Sequence, residues 1–203
     1  MSSFFCPSRN EISPNPTEVA RYLGYSRSAP PTADILALIE KACQEMKSAL
    51  TPQAVYETFS LEAVPAPENL LKFADVEIRS KDLTENLGKC SKVVLFAATI
   101  GPMVDAMIRR GQKTDSVYVA ILQATGAMYV EELVEQLNAK IKQEAELQGF
   151  STRPRFSPGY GDVPLSIQKD FFRLLPCSKI GLTLMDSLIM APEKSVTAFI
   201  GLK

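Results

Sequence analysis

The chain has 203 residues, 46% of them hydrophobic, which is enough for one sizeable core within the size range of a single domain. With 22 basic and 23 acidic residues it is near neutral, so no chain-wide field would hold nucleic acid or an anionic membrane, and neither is expected as a partner. It has no histidine, which removes the commonest general base, the commonest metal ligand and every His-containing triad, and leaves positioning or a reactive cofactor as the route to chemistry.

The first sixteen residues, with Pro7, Pro14 and Pro16, read as an irregular arm, and residues 17–203 as the domain. No basic segment followed by an apolar stretch opens the chain, and no unbroken apolar run approaches the roughly 18 residues of a membrane span, so a cytoplasmic protein is expected. Pro16-Thr17-Glu18 opens a short amphipathic segment that ends at Leu23-Gly24-Tyr25. Thr32 caps a helix from Asp34 to Leu50, whose apolar residues Ile35, Leu36, Leu38, Ile39, Ala42, Cys43 and Met46 recur at helical spacing, with Pro52 as a stop. Val55, Glu57, Phe59, Leu61 and Ala63 fall on one side of an extended stretch and Tyr56, Thr58 and Ser60 on the other, which predicts a strand closed by Pro65 and Pro67.

Ser80 caps a helix through Leu87 that Gly88 terminates, and residues 91–98 read as a buried strand. Thr99-Ile100-Gly101-Pro102 is a strand-to-helix turn, leading to a helix that runs to Arg110 and ends at Gly111. Thr114 or Asp115 caps a long helix reaching about Glu146. Residues 149–164 are loop, a helix covers 167–174, and two apolar strand-like stretches follow at 180–190 and 195–202. Strands and helices interleaved without regular alternation predict an α+β fold with a mainly antiparallel twisted sheet and flanking helices. Cys6, Cys43, Cys90 and Cys177 are scattered without a ligand-pair spacing and read as core residues.

Arg155-Phe156-Ser157-Pro158-Gly159-Tyr160 resembles the Arg-Pro-Ala-Pro-Gly-Tyr signature of the activation domain of cobalamin-dependent methionine synthase. Residues 184–192, Leu-Met-Asp-Ser-Leu-Ile-Met-Ala-Pro, are similar to that family's acid-Ser-x-x-Met-x-Pro stretch, and Ser195-Val196-Thr197-Ala198 to the Ser-Val-Ser-Gly strand after it. Upstream, Arg21-Tyr22-Leu23-Gly24-Tyr25 and residues 96–102 look like segments of single-domain relatives, so the ordered set spans roughly residues 17–203. The resemblance implies a stand-alone module that binds S-adenosylmethionine and, with an electron from a flavodoxin- or ferredoxin-type reductant, restores methylcobalamin from cob(II)alamin. The cobalamin would be carried by a partner, a cobalamin-dependent methionine synthase lacking its own activation domain. An escort that has lost S-adenosylmethionine binding, or a reactivator of another corrinoid methyltransferase, is the alternative.

Residue by residue, the resemblance assigns Arg155 to the carboxylate of the ligand, which suits a guanidinium that donates two parallel charge-assisted hydrogen bonds. Arg153, two residues earlier, has no such match. Ser157, Pro158 and Gly159 would hold the loop against the ligand, Pro removing a donor and Gly allowing close backbone approach. Tyr160 matches a tyrosine towards the corrin-facing side of the site, or else packs on the sheet with its hydroxyl at the surface. Glu131 matches a family glutamate near the ligand and ends a stripe of Ala120, Ala124 and Ala127 along which another element would approach closely; its alternative is a helix-surface charge like Glu132 and Glu135. The family's ligand-contacting tyrosine in the last strand is Ile200 here, which leaves backbone contacts at Ile200 and Gly201. No segment matches the family's N-terminal ligand-contacting aspartate, so another acid is expected to substitute, or affinity to be weaker.

Overall fold

The computed structural model describes residues 1–112 and 115–203. Its backbone is a mixed α+β fold in which every strand pairing is antiparallel, as the sequence predicts. The arm is not wholly irregular: Ser3–Phe5 forms β1 and pairs with residues 54–56, and Ile12 is fully buried. Three residues are too few to show a period, so this strand exists only because a neighbour's edge is free to take it.

Helix α1 (Pro16–Tyr22) is capped by Asn15, and α2 (Ala33–Ala49) by Thr32, whose hydroxyl accepts from the Ile35 N–H. The long strand β2 (Gln53–Val64) follows, then a hairpin of β3 (Leu70–Phe73) and β4 (Val76–Arg79) that no sequence signal marks. Its strands have four residues each, and its turn is Ala74-Asp75, with Ala74 at φ 48°, in place of the Asn-Gly or Asp-Gly pair that announces such turns. Helix α3 (Lys81–Leu87), strand β5 (Lys92–Thr99) and helix α4 (Pro102–Gly111) follow, α4 taking in the glycine expected to end it.

Asp115 caps α5 (Ser116–Glu146), accepting from the N–H groups of Val117 and Tyr118; Thr114, the other candidate cap, lies outside the described residues. Among the described residues α5 is the one helix long and apolar enough to cross a membrane by length and composition. Yet 56% of its most apolar stretch is buried in the fold, and Tyr129, Leu133, Val134 and Leu137 are fully covered, as the central helix of a core must be.

After α5, helix α6 (Gln168–Leu174) is followed by a departure from the expected strand at 180–190. A short 3-10 turn (Cys177–Ile180) leads to two-residue strands β6 (Thr183–Leu184) and β7 (Met190–Ala191) around a tight turn. Gly181 and Leu188 both stand at positive φ, 68° and 65°, and an extended strand cannot pass through either. The last strand, β8 (Ser195–Leu202), matches its expected bounds.

The main sheet runs β4-β3-β2-β5-β8, with β1 added to β2. Strand β5 is central and buried on both sides, which is why its sequence is a continuous apolar run. Val94, Phe96 and Ala98, with Ala198, Ile200 and Leu202 of β8, pack beneath α1, α2, α4 and α5. Val93, Leu95, Ala97 and Phe199 face the opposite way, into a second cluster with the hairpin, α3 and α6. Phe199 is the hub of that cluster, edge-on to Phe171 at 4.7 Å and to Phe73 at 5.8 Å between centroids. Cys43, Cys90 and Cys177 are buried and Cys6 is exposed, all as free thiols, and burial pushes the Cys43 thiol up to about 11 and Cys177 up to about 12.

The start of α3 carries a pH-sensitive tie. The carboxylate of Asp162 accepts from Ser80 Oγ, from the Lys81 N–H at 2.7 Å and from the Asp82 N–H at 3.3 Å, and Ser80 Oγ accepts in turn from the Leu83 N–H. The Ser80 hydroxyl, then the backbone donors, hold the Asp162 carboxyl below its ordinary value of 3.8. A carboxyl lowered in the folded state adds stability above its unfolded pKa and loses it as pH falls through the folded one. Asp162→Asn is therefore expected to be less stable than wild type at about pH 6 and to close that gap below about pH 3, by urea midpoints at each pH. A gap that does not change with pH would show that the carboxylate's charge plays no part.

Candidate functional site

The signature loop is positioned by the free edge of β8. Ser151 and Lys203 exchange backbone hydrogen bonds at 3.0 and 2.9 Å, Arg153 N–H donates to the Gly201 carbonyl at 2.9 Å, and Phe156 and Phe199 exchange both bonds at 3.0 and 2.8 Å. Residues 151–156 thus run along β8 as an irregular extra strand. Continuing the Phe156–Phe199 register by two residues would bring Pro158 opposite Thr197, but proline has no N–H to give, and the ladder stops. The chain instead turns. Tyr160 N–H donates back to the Ser157 carbonyl at 3.2 Å, with Pro158 second and Gly159 third at φ 87°, the requirements of a type II turn.

Where the ladder stops, a cleft of about 470 Å³ opens along the edge of β8, between α5 on one side and α6 on the other. Arg155, Ser157, Pro158, Tyr160 and Glu131 all line it. Arg155 Nη2 donates to Glu131 Oε2 at 2.5 Å and Nη1 to Glu135 Oε1 at 2.6 Å, so the guanidinium lies between two carboxylates of α5. The Arg155–Glu131 pair also lines a second depression with Arg21 and Tyr22 of α1, and so partitions the two. Burial first, and the Glu131 carboxylate second, raise the pKa of the Tyr22 phenol.

Three expected contributors fall elsewhere. Gly159 shapes the turn without lining the cleft; its N–H is spent on the Val163 carbonyl at 3.0 Å. Ile200 points into the core beneath α5, only 3% exposed, because the alternation of β8 sends even-numbered residues to that face. Gly201 is enclosed by Cys90, Leu87 and Arg153, and its carbonyl is already taken by the Arg153 N–H. The strand reaches the cleft through Ser195, Val196 and Thr197 instead. By the same alternation Thr197 turns its N–H and C=O towards the side on which Phe199 bonds Phe156, so this pair of backbone groups faces the cleft. Tyr160 is 69% exposed at the mouth, not packed on the sheet.

Of the alanine stripe, Ala124 is buried in the core beneath α5. Ala120 is exposed, and next to Ala127 the side chain of Lys194 lies close over Gly126, where a Cβ would stand 3.1 Å from Lys194 Cε. Burial is what lowers the Lys194 pKa, against Asp105 and Glu193, which raise it. Two further cleft residues are not among the expected ligand contacts. Met190 belongs to the acid-Ser-x-x-Met-x-Pro stretch but has no site role assigned to it, and Gln168, the first residue of α6, carries no motif. Among the described residues no group of three or more His, Cys, Asp or Glu side chains is placed to hold a metal ion.

No family model matches the chain, and neither does any curated protein. Among solved structures it superposes on the crystal structure of the MetH reactivation domain bound to AdoHcy, with a TM-score of 0.72 over 99% of this chain and 78% of that one, at 15% sequence identity. The two chains share a fold.

Proposed function

We propose that this chain is a reactivation module that holds S-adenosylmethionine in the cleft beside Arg155 and presents its methyl group to cobalamin on a separate cobalamin-dependent methionine synthase. A flavodoxin- or ferredoxin-type protein would supply the electron. The observation that carries this reading is the convergence of Arg155, Ser157, Pro158 and Tyr160 of the signature loop with Glu131, 24 residues away, on one cleft. The fold shared with a domain crystallised with AdoHcy supports it.

The residues present fit such a ligand. A volume of about 470 Å³ lies in the range of small-molecule sites, roughly 300–1,000 Å³. A guanidinium has five N–H donors, and the two carboxylates of α5 each take one, which leaves donors for the ligand's carboxylate. Glu131 and Glu135 hold the guanidinium plane in place, the pre-organisation that bidentate binding needs. Bound there, S-adenosylmethionine supplies an electrophilic methyl group on a positively charged sulfur, whose transfer needs placement and no general base. That agrees with a chain without histidine.

One guanidinium between two carboxylates leaves one negative charge uncompensated. The cleft should therefore hold the sulfonium more tightly than the neutral thioether S-adenosylhomocysteine. Calorimetric titration is expected to give heat with both ligands, and a preference for S-adenosylmethionine that shrinks as salt rises from about 0.05 to about 0.5 M. Neither heat nor a thermal shift at millimolar ligand would instead favour the second reading, an escort that only accompanies a corrinoid protein. That reading draws on Ile200, which offers the cleft no side chain.

A further inference from the structure

Gln168 is the least explained polar group at the cleft. It is 6% exposed, it lines the cleft from the first turn of α6, and its Oε1 is buried without a hydrogen-bond partner among the described residues. Buried polar groups in folded proteins are almost always paired, so a carboxamide oxygen left unpaired on a residue that lines a cleft points to a partner that arrives from outside. Phe156 and Met190, which pack against the same cluster as α6, and Pro158 also line the cleft and offer apolar surfaces that suit a flat ring, while the charged pair Arg155–Glu131 is held by α5.

We propose that Gln168 is a specificity-determining residue that reads the edge of the adenine base. This inference rests on the reading of the cleft as an S-adenosylmethionine site. A carboxamide presents one acceptor and one donor in a plane, and adenine offers the complement side by side, the 6-amino donor next to a ring-nitrogen acceptor. The ribose hydroxyls, each both donor and acceptor, do not demand a planar partner. Division of labour follows: Arg155 takes the carboxylate end of the ligand, and Gln168 selects the base.

The test pairs two ligands with two variants. S-adenosylhomocysteine and its purine analogue lacking the 6-amino group are titrated into wild type, Gln168→Met and Arg155→Met. Methionine keeps the length of the side chain and removes both polar atoms. Wild type is expected to prefer the adenosyl ligand by about tenfold or more, and Gln168→Met to lose that preference while binding the two alike. Arg155→Met should weaken both ligands by the same factor. Without ligand, Gln168→Met should melt at or above the wild-type temperature, since it removes a buried carboxamide oxygen that has no partner; a lower Tm would mean a structural amide and would overturn the proposal. If wild type binds S-adenosylhomocysteine and Gln168→Met retains the base preference, the role of Gln168 falls and the cleft reading stands. If wild type binds neither ligand, the cleft reading itself fails and takes this proposal with it.

Discussion

Replacing Arg155 by Met is expected to weaken S-adenosylmethionine binding by about ten- to a hundredfold, the equivalent of one charge-assisted hydrogen-bonding group worth about 1.5–3 kcal/mol. Two effects add in the same direction. The variant loses the donors for the ligand's carboxylate, and it leaves Glu131 and Glu135 unneutralised beside the place that carboxylate would occupy. Stability should change little, because both ion pairs reach solvent, with Glu131 38% and Glu135 64% exposed, and exposed pairs contribute little. Arg153→Met is the control. Arg153 turns towards α3, where its Nε donates to the Asn86 carbonyl at 3.0 Å, so it removes the same charge two residues away without touching the cleft. Calorimetry at matched salt distinguishes the outcomes. Equal losses in both variants would reveal a general field effect, and no loss in Arg155→Met would remove the chief residue-level support for the site.

Phe199→Ala should cost about 3–5 kcal/mol, as ring deletions in closed cores do. The side chain is fully buried, and its neighbours Phe171 and Phe73 belong to α6 and β3, elements that meet on this ring. Collapse around the gap would require α6 or the hairpin to move, and both are packed into the same buried cluster. Phe199→Leu, which fills most of the volume, should lose clearly less. Urea unfolding at constant m would measure both, and a loss below about 1 kcal/mol for the alanine variant would mean that the second cluster closes over the cavity. Since α6 also carries Gln168, the alanine variant should bind ligand more weakly as well.

The elements that the sequence made legible are those whose own residues carry enough of a period or a cap. Helix α2 shows this, where Thr32 and the apolar positions from Ile35 to Met46 mark both start and buried face. So does β5, whose run of apolar residues already implied burial on both sides. The hairpin β3–β4 and the strand β1 escaped because three or four residues hold less than a usable period, and Ala74-Asp75 is not a signalled turn. The stretch 180–190 was misread because apolar content does not reveal a positive φ at Leu188.

At the site the division is similar. The motif and its resemblance name the loop residues Arg155, Ser157, Pro158 and Tyr160, with Glu131, and the structure brings these five to one cleft. Ile200 and Gly201 were not brought there, since resemblance places a residue along a strand but the strand's alternation and edge partners decide what it faces.

By itself the sequence determined that this is an α+β chain without imidazole chemistry, and it determined where a guanidinium, a proline and a glycine follow one another in the loop. Those properties are local, written in residue type and spacing. Only the tertiary structure decided that Pro158 would stand opposite Thr197 and stop a ladder there, that Arg155 would lie between two carboxylates of a helix 20 and 24 residues away, and that Gln168 would line the same cleft with its side-chain oxygen buried and without a partner. Each depends on which edge of the sheet is left open, and that is set by the packing of distant segments, not by any one of them.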